Sequence, residues 1–97
     1  MINRMNKVEL VFNKAETRLA GFPYGRDVYM KQVNGKVDLS GQIEIVFPKQ
    51  IEKVASSFVQ GFFSELVSKI GYIGIDQKVT IVSSSSRLSD TIRKNIY

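Results

Sequence analysis

Between Lys49 and Gly71, apolar side chains return every third or fourth residue: Ile51, Val54, Ala55, Phe58, Val59, Phe62, Phe63, Leu66, Val67 and Ile70. On a helix of 3.6 residues per turn that spacing gathers them into one wide stripe. A stripe so wide must be buried, which commits the chain to a helix laid on a second layer of structure. Gly71 supplies the C-terminal stop, since glycine takes the positive φ that ends helices. The start has two readings. The helix begins just after Pro48, or residues 49–55 form a connector and Ser56 or Ser57 is the N-cap. Phe58, Phe62 and Phe63 are read as core.

The second layer is legible as alternation. Residues 8–12 place Val8, Leu10 and Phe12 on one side of an extended segment, and residues 42–47 do the same with Ile43, Ile45 and Phe47 before Pro48 ends the ladder. Lys78-Val-Thr-Ile-Val82 is β-branched and apolar on both faces, which suits a buried central strand. Gly21, Pro23 and Gly25 mark residues 15–26 as a loop carrying Phe22 and Tyr24. Asn34-Gly35 lies between strand-like runs and favours a type I′ hairpin. Ser83–Ser86 reads as a polar turn, with Ser86 capping a last helix on which Leu88, Ile92 and Ile96 fall four apart. No internal repeat stands out. The expected fold is α/β of the α+β kind: a small mixed open sheet with two helices packed on one side, preceded by an N-terminal β-hairpin. One domain spans residues 1–97, with the N-terminal strands and hairpin in 1–41 and a β-α-β-α unit in 42–97.

Composition narrows the chemistry. The 97 residues include no Cys and no His, which removes thiolate nucleophiles, Cys-based zinc sites, Ser-His pairs and the commonest metal ligand. No phosphate-cradling Gly-x-x-x-x-Gly-Lys-Ser/Thr loop and no Ser-x-x-Lys pair is present. The carboxylates are scattered. A non-enzyme with no cofactor and no metal is expected, and with no long apolar run it is expected in the cytoplasm, away from membranes. The net charge of +5 is spread over both halves. The densest basic run is Arg87, Arg93 and Lys94, with Asp90 inside it. At a helix C-terminus Arg93 and Lys94 already suit the macrodipole.

The segment from Ile43 to Leu66, Ile-Glu-Ile-Val-Phe-Pro-Lys-Gln-Ile-Glu-Lys-Val-Ala-Ser-Ser-Phe-Val-Gln-Gly-Phe-Phe-Ser-Glu-Leu, resembles the STAS-like family of small domains of unassigned function. The likeness runs on through Gly71, the strand Val79–Val82, the polar turn and the last helix to Tyr97. It implies an open mixed sheet with helices on one side and a helix that starts near Ser56. STAS domains, such as the anti-sigma-factor antagonists, are similar in presenting a serine at this helix start to a kinase-like partner. By position that residue is Ser56 or Ser57.

The leading expectation is therefore a non-catalytic protein–protein interaction or regulatory module that binds a protein partner through the start of the long helix. Its basic charge favours an acidic partner. The alternative is a small nucleic-acid-binding domain, using Arg87, Arg93 and Lys94, or Lys7, Lys14, Arg18, Arg26, Lys31 and Lys36 on one sheet face. A homo-oligomer is compatible with either, if the apolar stripe is wider than its own sheet can cover.

Overall fold

The computed structural model describes residues 5–97. In chain order its elements are β1 (Met5–Glu9), β2 (Arg18–Leu19), α1 (Phe22–Gln32), β3 (Gln42–Val46), β4 (Lys53–Val54), α2 (Ser56–Lys78), β5 (Val79–Val82) and α3 (Ser86–Ile96). Alternation in β3 decides the layering. Ile43, Ile45 and Phe47 are buried on one face, and Glu44 and Val46 between them are half-buried on the other. β3 is the middle strand of a sheet in the order β1-β3-β5, with Val8 opposite Ile45 and Ile45 opposite Ile81. A two-stranded ribbon pairs β2 with β4, Arg18 opposite Lys53 and Leu19 opposite Val54.

The α+β class expected from the sequence stands. Several details do not. Both sheets are parallel throughout rather than mixed, because the chain returns through helices instead of tight turns. Three helices form, not two. β5, expected at the centre, is an edge strand with Thr80 exposed.

The largest correction concerns the N-terminal hairpin, which is a helix. Pro23 sits in the first turn of α1, where its missing N–H costs nothing and its fixed φ suits the helix. Gly25, Val28 and Tyr29 are buried along α1 and Val33 just beyond it, a three-and-four spacing that packs against α2. Asn34-Gly35 is a chain reversal, but it ends a helix. The N–H groups of Val33 and Asn34 both donate to the Tyr29 carbonyl at 2.9 Å, and Gly35 has φ 78°. That is how helices close at a glycine.

α2 begins at Ser56, after the connector of the later expected start, but neither Ser56 nor Ser57 is the N-cap: both lie in the first turn, and Ala55, whose methyl cannot cap, takes that place. The helix breaks at Gly71 (φ 72°, ψ 171°), and residues 72–78 resume it before β5. The expected stop is therefore a kink. Phe58, Val59, Phe62, Phe63 and Leu66 are all buried, so the apolar stripe needs no second chain to cover it, and the argument for an oligomer based on its width lapses. α3 is capped one residue earlier than expected: Ser85 Oγ accepts the Leu88 N–H at 3.1 Å. Ile92 and Ile96 are buried as anticipated.

An internal repeat, not evident from the residue pattern, organises the fold. With one residue inserted at Ser56, Val8-Glu-Leu-Val-Phe12 aligns with Ile43-Glu-Ile-Val-Phe47, Arg18-Leu-Ala20 with Lys53-Val-Ala55, Phe22-Pro-Tyr-Gly25 with Phe58-Val-Gln-Gly61, and Gly35 with Gly71. The aligned strands pair with each other, β1 with β3 and β2 with β4. The aligned helices cross reciprocally. A Cβ on Gly25 would lie 2.1 Å from the Phe58 carbonyl oxygen, and one on Gly61 would lie 2.0 Å from that of Phe22. Two strand–strand–helix units thus pack face to face, followed by β5 and α3. The units differ where α3 lies. The second carries Phe62 and Phe63 where the first carries Arg26 and Asp27. The apolar pair is buried, while Arg26 pairs with Glu65 at 3.0 Å and Asp27 with Lys31 at 3.2 Å, both at the surface.

Candidate functional groove

Side chains alternate along a strand. In the β2–β4 ribbon Leu19 and Val54 therefore turn into the core, while Arg18, Ala20, Lys53 and Ala55 face outward. Because the ribbon is built from equivalent positions of the repeat, its outer surface is doubled: two cations side by side, then two alanines. The first turns of α3 rise beside it and contribute Arg87, Leu88 and Thr91. The result is an open groove of about 540 Å³ with a mainly apolar floor.

Its electrostatics are one-sided. Arg18 and Lys53 are register partners on adjacent strands, and like charges directly opposite each other destabilise a sheet. Arg87 adds a third cation on the α3 wall, and Glu52 is the one acidic residue lining the groove among the described residues. The ion pairs formed among the described residues are Lys7–Glu9, Arg26–Glu65 and Lys31–Asp27, so none of the three groove cations is held in one of these pairs.

Ser56 and Ser57 are both exposed and follow directly on Ala55 at the groove's end. Ser57 has a structural task. Its Oγ accepts the Gly21 N–H at 3.0 Å, tying the start of α2 to the start of α1. Among the basic residues singled out in α3, Arg87 is in the groove and exposed, and Lys94, seven positions on, shares its helical face. Arg93 points elsewhere, donating to the Val79 carbonyl of β5. Lys7, Lys14, Arg18, Arg26, Lys31 and Lys36 do not share a sheet face: Lys7 is on β1, Arg18 on the ribbon, and Arg26 and Lys31 on α1. Next to the ribbon, burial, a hydrogen bond to Glu16 at 2.8 Å and the Glu16 charge push the Tyr24 hydroxyl up to about 12. Tyr24 therefore stays neutral and acts as a brace.

Among the described residues no group of acidic side chains is placed to hold a metal ion, and no helix is long and apolar enough to cross a membrane. Sequence reading missed the groove itself. The signal was present in the doubled tripeptides Arg18-Leu-Ala20 and Lys53-Val-Ala55. The chain matches no protein-family model, no curated protein and no solved structure.

Proposed function

We propose that this chain is a non-catalytic protein-binding module of STAS-like type that takes an acidic segment of a partner protein in the groove at the start of α2. One observation carries the reading: Arg18 and Lys53 stand in register on the ribbon, beside Arg87, and none of the three is in an ion pair among the described residues. A pairing that costs stability within the fold becomes favourable once carboxylates lie between the cations. Ala20 and Ala55 leave room above the floor for apolar side chains of the same segment, and Ser56 and Ser57 border the bound chain.

A fluorescently labelled peptide alternating Glu and Leu tests this by anisotropy, against a Lys-Leu peptide and a single-stranded oligonucleotide. The Glu-Leu peptide is expected to bind, and Arg18→Glu or Arg87→Glu is expected to weaken it at least roughly tenfold, an effect typical of losing one charge-assisted contact. Binding that ignores both reversals overturns the assignment. Tighter binding of the oligonucleotide, steeply weakened by salt, replaces it with the nucleic-acid reading.

A further inference from the structure

The groove has a direction. Along the ribbon every second residue faces outward, so Arg18 and Lys53 share one level and Ala20 and Ala55 the next, where the Ala55 N–H donates to the Leu19 carbonyl at 2.8 Å. Two strand residues separate the levels, roughly 6.6 Å. α3 runs the same way beside β4. Ser84 Oγ, ahead of its first turn, donates to the Ile51 carbonyl at 3.3 Å, just before the cation level, and the Asn95 carbonyl at its far end accepts from Gln60 Nε2 of α2, beyond Ala55. Arg87 therefore stands at the cation end of the α3 wall and Thr91 one turn further on, roughly 6 Å away. Both walls change from charged to uncharged in the same direction and over nearly the same distance. Glu52, next to Lys53, also lies at the charged end, which holds three cations against one carboxylate. Lys94 follows a turn beyond Thr91 but does not line the groove, so no cation of the lining stands at the alanine level.

We infer that the groove selects its partner by spacing, taking an extended segment in which an acidic residue and an apolar residue stand two positions apart; the inference rests on the acidic-segment reading of the same groove. An extended segment advances roughly 6.6 Å every two residues and presents those two side chains on one face. That step equals the one from the cation level to the alanine level. The acidic side chain lies over Arg18 and Lys53, beside Arg87, while the apolar one covers the methyls of Ala20 and Ala55 and the half-buried Leu88. Strict alternation of acidic and apolar residues satisfies only half of this, because each face of the segment then carries one kind. Either a carboxylate is set over the alanines, losing water without gaining a cation, or the cations face an apolar side chain. Residues in pairs, two acidic then two apolar, put both kinds on the same face.

Two fluorescently labelled octapeptides of one composition test this by anisotropy on the full chain at about 0.15 M salt. One is Glu-Glu-Leu-Leu repeated twice, the other Glu-Leu repeated four times. The paired peptide contains the acidic-to-apolar step in both chain directions, so its orientation in the groove does not matter. It is expected to bind at least roughly tenfold tighter than the alternating one, the yield of one charge-assisted contact. Ala20→Lys and Ala55→Lys, both at exposed positions, each extend the cations to the second level. Each is expected to raise the affinity of the alternating peptide until the two agree within about twofold, with circular dichroism checking that the variants fold. Equal affinity of the two peptides for the unaltered chain overturns the spacing rule and leaves the acidic-segment reading standing. A preference that survives both lysine variants overturns the rule as well. Binding of neither peptide removes the acidic-segment reading itself, and the rule with it.

Discussion

Two glycines illustrate how a residue's role depends on what it meets. Gly25 and Gly61 look like breaks in the pattern, yet both lie inside helices, where Ala would be favoured by about 1 kcal/mol on propensity alone. What overrides propensity is the neighbouring backbone: a methyl on Gly61 would stand 2.0 Å from the Phe22 carbonyl oxygen, and a backbone atom cannot swing aside as a side chain can. Gly61→Ala is therefore expected to destabilise the chain by roughly 3 kcal/mol or more, and Gly25→Ala similarly, as measured by urea unfolding. This exception to the usual gain from Gly→Ala in a helix is invisible from one sequence, because nothing local says that another helix passes within contact distance. Ser57 is the same kind of case. The sequence offers it as an N-cap or as a serine presented to a partner, and only the fold reveals that its Oγ accepts the Gly21 N–H.

At the scale of elements, what could be read was what repeats over several turns or a full alternation. α2, β3, β5 and α3 follow directly from apolar spacing, and the start of α2 at Ser56 coincides with the start implied by the STAS-like resemblance. α1 was illegible for a definite reason. Its buried line runs Gly25, Val28, Tyr29, Val33, and with a glycine as one of its contacts the helical period is too short to count, so the Asn34-Gly35 turn between β-branched runs favours strands. β2 and β4 are two residues each, too short for any periodicity. The repeat was hidden by the single inserted serine and by the polar-for-apolar exchange of Arg26-Asp27 against Phe62-Phe63. That exchange also explains why one helix is covered by α3 and the other by water. Ile92, fully buried on the inner face of α3, is thus expected to cost about 2–5 kcal/mol on Ile92→Ala. Lys31→Ala, on the uncovered face of α1, should cost under about 1 kcal/mol because its ion pair with Asp27 is exposed. Thermal unfolding of the two variants separates these values.

For the molecule as a whole, the two units meet at the ribbon and so place two cations and two alanines together on one surface, beside which α3 supplies a third cation. The duplication thus creates the groove, where three cations outside the described ion pairs stand together. The most direct test of the central claim is an amide chemical-shift titration of the full chain with the Glu-Leu peptide. The account predicts shifts confined to Arg18–Ala20, Lys53–Ser57 and Arg87–Thr91, lost on Arg87→Glu. Shifts centred on other elements, or none at saturating peptide, would contradict it.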